Sequence, residues 1–211
     1  MNLAKNLLIA GAAAIAANAH GAVNITRPAS LPVYSTTLNF DEPGGPTGPV
    51  PTTSWSAIGL STITTGVGSL PNVANWATAY GVTWLGSANS VYGSFGMTLT
   101  FDSDLSALAA NYWDTSSTFS PIGGGGCRIR ALNNGVEVAS LFINNPTFTM
   151  NENPRIDIQA TDGAVFDTVE FAGFGFTPDA FLDNISWTAV PAPGAALLPL
   201  VGLAGLRRRR A

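Results

Sequence analysis

Cysteine, histidine and lysine each occur once in the 211-residue chain, as Cys127, His20 and Lys5. With one cysteine no intramolecular disulfide can form, so a folded domain has to be held by its core or by an ion. Cys127 follows four glycines and has no histidine and no cation beside it except Arg128, a setting that suits a buried, inert thiol. A lone histidine excludes Ser-His and Cys-His triads and any His-based zinc centre. The glycine run 123–126 lacks the Gly-Lys-Ser/Thr ending of a phosphate loop and reads as a loop.

Positive charge is equally sparse in the middle of the chain. Lys5 and Arg207 to Arg210 lie at the ends, which leaves Arg27, Arg128, Arg130 and Arg155 against all 13 acidic residues, a balance of -9 in the central segment. Such a segment repels nucleic acid and anionic lipid. What the chain does have is 23 glycines, 14 prolines and much Thr, Ser, Asn and Val, a composition of turns and strands. Its length suits one domain with extensions.

Both ends read as addresses. Residues 1–19 have a positive start at Lys5, an apolar stretch from Leu7 to Ala17, and the small-x-small pattern Ala17-Asn18-Ala19, so cleavage is expected after Ala19. At the other end, Val190-Pro191-Ala192-Pro193-Gly194 precedes an apolar run, 195–206, and then Arg207, Arg208, Arg209 and Arg210. The prolines separate domain from tail, the apolar run partitions into lipid, and the arginines hold the cytoplasmic side. This tail resembles the PEP-CTERM sorting signals. The resemblance covers only residues 190–211, and it implies an exosortase-type enzyme and the inner membrane as partners. Ala192 stands where those signals carry the Glu that names them, so the sister VPLPA-type tails are an alternative relative.

Between the ends, residues 20–189 are expected to form an all-β domain, a β-sandwich or jelly roll, flanked by the signal helix and a transmembrane helix. Expected strands are Tyr34–Phe40, Trp55–Thr65, Ala77–Leu85, Tyr92–Phe101, Arg128–Leu132, Val136–Ile143, Arg155–Ala160, Ala164–Phe171 and Phe181–Val190. Leu105–Trp113 fits both a helical and an alternating period, and sandwich context favours strand. Asn134-Gly135 and Asp162-Gly163 suit the left-handed backbone of tight hairpins. Phe40-Asp41-Glu42-Pro43-Gly44-Gly45 and Phe181-Leu182-Asp183-Asn184-Ile185 resemble pieces of the jelly-roll ectodomains that precede PEP-CTERM tails, which implies an architecture shared with carbohydrate-binding modules.

Three constellations carry the chemistry. Period two puts Asp183 on a face with Phe181, Ile185 and Trp187, where a carboxylate needs a partner. A structural Ca2+ held by Asp41, Glu42 and Asp183 would supply one, and so would backbone amides or a pairing with Arg27 or Arg155. Trp76, Tyr80 and Trp84 recur every fourth residue and on a strand would share a face, either as a platform for sugar rings or as core. Tyr92 and Trp113 are weaker candidates for the same role. A carboxylate pair among Glu137, Glu152, Asp157 and Glu170 could hydrolyse a glycoside. The jelly-roll glucanase pattern, however, has Val165 where its first Glu should be. The expected protein is an exported surface or matrix protein, non-catalytic and associated with exopolysaccharide. A secreted carbohydrate-active hydrolase is the alternative.

Overall fold

The computed structural model describes residues 21–42, 45–80, 89–114, 126–144, 155–174 and 179–191. The signal segment and nearly all of the tail, including Pro193, Gly194 and Arg207 to Arg210, lie outside them, as do Trp84 and Glu152. Among the described residues no helix is long and apolar enough to cross a membrane.

The described chain is an antiparallel β structure throughout. Its strands are β1 (Val23–Thr26), β2 (Thr36–Leu38), β3 (Gly48–Pro49), β4 (Leu60–Thr65), β5 (Asn72–Ala74), β6 (Ser90–Gly93), β7 (Met97–Asp114), β8 (Gly126–Asn133), β9 (Val136–Asn144), β10 (Arg155–Ala160), β11 (Phe166–Phe174) and β12 (Ala180–Ala189). A single turn of helix, α1 (Trp76–Tyr80), interrupts them.

The long strand β7 organises everything else. Its first part pairs with β4 on one edge and β11 on the other, and its second part pairs with β12 and β10. The change of partners falls at Asp102, Ser103 and Asp104, three exposed residues that break the apolar alternation between Phe101 and Leu105. One half of the sheet therefore runs β4, β7, β11, β8, β9. The other runs β1, β10, β7, β12, with β2 and β6 side by side along the far edge of β12 and β5 and β3 beyond β6.

The halves fold over a shared core, giving a β-sandwich. Leu99, Val169 and Ile129 from the first half pack in one cluster with Leu108, Ile156, Leu182 and Ile185 from the second. Tyr112 meets Phe171 across the sandwich with ring centroids 5.0 Å apart. Burying such side chains contributes about 1.5–3 kcal/mol each, the term that replaces a disulfide here. Cys127 is buried among them.

Several expectations are met. Leu105–Trp113 is strand, inside β7. Asn134 and Gly135 have φ of 50° and 77°, both in the left-handed region, and link β8 to β9 as a hairpin. β2 lies beside β12, so the first of the expected strands does neighbour the last.

Others are corrected. Trp55–Thr65 begins with a 3-10 turn at Ser56–Ile58 that ends on Gly59 at φ 88°, so the strand starts only at Leu60. Tyr92–Phe101 is cut by a turn in which Phe95 and Gly96 have φ of 58° and 97°. The left-handed Asp162-Gly163 turn is present, yet β10 and β11 do not pair: they follow one another along the same edge of β7. β1, whose Val-Asn-Ile-Thr alternates in burial, pairs with β10 where no strand was expected.

The expected strand Ala77–Leu85 also gives way, since Trp76–Tyr80 is helical and 81–88 lie outside the described residues. The cause is local. Asn75 Oδ1 accepts from Thr78 N–H at 2.9 Å, and its carbonyl accepts from Ala79 N–H at 3.2 Å, so Asn75 caps a turn that the alanines favour.

Candidate functional site

The outer face of the β7–β12–β10 half is where polar groups are buried. On β7 that face carries Trp113, Asn111, Ala109 and Ala107, while Tyr112, Ala110 and Leu108 point into the shared core. On β10 it carries Arg155, Asp157 and Gln159, with Ile156 and Ile158 inward. On β12 the alternation breaks. Asp183 pairs with Asn111 and Ser186 with Ala109, so β12 spends one extra residue there, and Asn184 takes φ 48°. The bulge keeps Phe181, Asp183 and Ser186 on the outer face and sends Ile185 and Trp187 to the core. This corrects the period-two placing of Asp183 beside Ile185 and Trp187.

Asp183 is fully buried and accepts hydrogen bonds from its neighbour Asn184. Oδ1 accepts from the Asn184 backbone N–H at 2.7 Å, and Oδ2 accepts from the Asn184 side-chain amide at 3.2 Å. A backbone amide is thus one of the partners of this carboxyl. Asp41 Oδ1 instead accepts from Asn89 N–H, next to β6, at 2.8 Å. Among the described residues no three His, Cys, Asp or Glu side chains gather to hold an ion, so Asp41, Glu42 and Asp183 do not form the expected Ca2+ group.

A segment between β1 and β2 straps this face down. Arg155 Nη1 donates to Ala29 O at 2.9 Å, Ser186 Oγ to Pro32 O at 3.3 Å, and Ser35 Oγ to Trp187 O at 3.1 Å. Tyr34 Oη donates to Asp157 Oδ1 at 2.6 Å, and Gln159 Nε2 donates to the other carboxyl oxygen at 2.8 Å. Burial, followed by that hydrogen bond to Asp157, pushes the Tyr34 hydroxyl up to about 12. Alanines at positions 107 and 109 leave depth beneath the strap.

Under the strap is a cavity of about 520 Å3. Residues 30–33 form one wall, with Leu31, Pro32 and Val33 apolar, and Thr37, Asn111, Arg155, Asn184 and Ser186 bring polar groups from four strands. Arg155, Asn111 and Asp183 stand in one row across β10, β7 and β12. Asn111 is 6% exposed, and its Oδ1 has no hydrogen-bond donor among the described residues.

Of the aromatic candidates Trp113 is buried, Trp76 and Tyr92 are half-buried against Phe181, and Trp84 lies outside the described residues. Trp113 and Phe181 are buried with ring centroids 4.8 Å apart, Tyr92 lies 5.1 Å from Phe181, and Trp76 lies 5.0 Å from Tyr92. Trp76 Nε1 donates to Asn72 O at 3.1 Å. Tyr80 ends α1 rather than continuing a strand, so the fourth-residue spacing does not make a flat platform.

The candidate hydrolytic carboxyls are engaged elsewhere. Glu137 and Glu170 both pair with Arg130 on the outer face of the other half, and Glu137 also pairs with Arg128 at 2.8 Å. A hydrogen bond from Ser140, then the arginines, hold the Glu137 carboxyl below its usual range, the opposite of what a general acid needs. Asp157 is on the strapped face, apart from that ladder. Burial pushes the Asp179 carboxyl up, against a pull from Phe95 N–H and Tyr92, where it caps the turn before β7.

Fold and site together define an antiparallel β-sandwich with one outer face strapped over a cavity of apolar and polar lining. No family model and no curated protein matches the chain. Among solved structures it resembles a glycoside hydrolase family 43 arabinoxylan arabinofuranohydrolase from Bacillus subtilis, in complex with cellotetraose, with a TM-score of 0.35 and 14% identity. That likeness covers 62% of this chain and 26% of the other, and at such a score it carries no argument about chemistry.

Proposed function

We propose that the chain is an exported, non-catalytic protein of the cell surface or extracellular matrix, routed by its tail through an exosortase-type enzyme and associated with exopolysaccharide. The observation that carries the non-catalytic part is the state of the carboxyls: Glu137 and Glu170 are ion-paired through Arg130, and Asp157 is covered by Tyr34 and Gln159. A hydrolase needs two carboxyls facing one open groove, one of them with a raised pKa. The routing part is supported by the sequence of residues 1–19 and 190–211.

Val190 N–H still donates to Asp104 O at 2.7 Å, and Pro191, which has no N–H to offer, is exposed. Truncation after Pro191 therefore leaves β12 intact. The truncated protein is expected in the periplasm or medium, and full-length protein with Arg207 to Arg210 changed to Gln is expected to lose membrane orientation. Cell fractionation reads both, and unchanged processing and location in both variants would end the sorting proposal.

A further inference from the structure

We infer that the cavity under the 30–33 strap is a binding site for a short segment of a neutral saccharide, with Asn111 Oδ1 as its central acceptor. A buried acceptor left without a donor costs about 1–3 kcal/mol, and such groups in folded proteins are kept for a reason. Asn111 is one, it lines the cavity, and it stands between Arg155 and Asp183 in a single cross-strand row.

The chemistry of the walls selects the ligand. The cavity volume of about 520 Å3 falls within the span of about 300–1,000 Å3 usual for small-molecule sites. One wall is apolar, from Leu31, Pro32 and Val33, and the floor is amide and hydroxyl, from Asn111, Asn184 and Ser186. A sugar ring matches this division, with C–H groups on its faces and hydroxyls around its edge. A sugar hydroxyl can donate to Asn111 Oδ1 while accepting from a neighbouring donor, which a ligand made only of acceptors does not do. Charge argues for neutrality. Among the described outward residues of β10, β7 and β12 are two carboxyl groups, Asp157 and Asp183, and one guanidinium, Arg155, inside a segment whose balance is -9. An anionic glycan meets repulsion at both levels.

The inference deepens the matrix-protein reading and rests on it only in that the saccharide is held and returned unchanged. The test uses the full chain purified in mild detergent and titrated with short neutral gluco-, galacto- and manno-oligosaccharides, with oligogalacturonate as the anionic probe. One neutral series should bind saturably by calorimetry, and oligogalacturonate should bind more weakly.

Asn111→Leu, close in shape but without the orphan acceptor, should weaken that binding about tenfold or more and leave Tm equal or higher. Thr37→Val, an exchange on the exposed face of β2 at the cavity, should weaken binding without moving Tm. Failure of every neutral series to bind, a preference for oligogalacturonate, or unaltered binding in both variants overturns the inference. So does a lowered Tm in Asn111→Leu, which would make the amide structural. Cleavage of a bound oligosaccharide would overturn the non-catalytic reading and leave the site standing. Wild-type sorting without saccharide binding does the reverse.

Discussion

The two outer faces of the sandwich are built from strands of the same kind and have opposite fates. On the β4–β7–β11–β8–β9 half, one row across the sheet reads Thr64, Thr98, Glu170, Arg130, Ser140, and the next reads Thr62, Thr100, Thr168, Leu132, Glu137. This is a solvated face of β-branched hydroxyls and cross-strand ion pairs. On the β10–β7–β12 half the corresponding face is covered by the strap and α1, and it buries Trp113, Phe181, Asp183 and Asn111. Burial, rather than strand type, separates a face that only has to stay soluble from one with a specific polar arrangement. A hydrogen bond or charge is worth little on the first and much on the second.

The sharpest way to break this comparison is Phe181→Ala. If the strapped face is a second core, removing that ring should cost about 3–5 kcal/mol in urea unfolding. Thr98→Ala on the open face should stay within about 0.5 kcal/mol. Similar costs for the two would show that the faces do not differ as described.

Tyr34→Phe comes next, because it removes the donor from the buried Asp157 carboxyl and should cost about 1–3 kcal/mol near neutral pH. It also carries a pH signature. The folded protein holds the Tyr34 proton up to about 12, whereas the ordinary value is 10.0. Its contribution is therefore complete below pH 10 and is lost as pH rises through that window. Denaturation curves collected across this range should show the loss in wild type and not in Tyr34→Phe.

Asn184 tests the bulge. At φ 48° an alanine should cost about 1–2 kcal/mol. Asn184→Gly keeps the backbone conformation and should be distinctly milder, which thermal melts of the two variants would rank. Smallest is Glu137→Gln on the open face, expected to move the unfolding midpoint least of all these variants. Because the folded Glu137 pKa lies below the ordinary 4.5, its small contribution is present above that value and fades as pH falls through the folded one.

Much of the open half was legible. Arg128–Leu132 and Val136–Ile143 alternate, and Asn134-Gly135 fixes their turn, so local period and turn chemistry suffice. The strapped half was not, for three physical reasons. Asn184 reads as one more polar residue in an alternating strand, and nothing local shows that it absorbs a bulge and turns Ile185 and Trp187 over. Trp76 to Tyr80 carries strand-like aromatics, yet the Asn75 cap decides for helix. The cavity draws Thr37, Asn111, Arg155 and Ser186 from four strands far apart in sequence, and only pairing through β7 brings them together. Asp183 could be recognised as a carboxyl in need of partners, and two of its donors are amides of its own neighbour Asn184, which the bulge turns toward it.

β12, the last described strand, lies in the interior of its half, with β2 and β6 on one edge and β7 on the other. A polypeptide threaded N-terminus first through a translocation channel would release this strand after every other. Until Ala180–Ala189 emerge, β2, β5 and β6 have no route of pairing to β7, and the strapped face lacks the part of its floor that Asn184 and Ser186 supply. On the proposed export route, the strapped half therefore cannot assemble until β12 has crossed. The order of the described strands keeps that half pliable until late in transit.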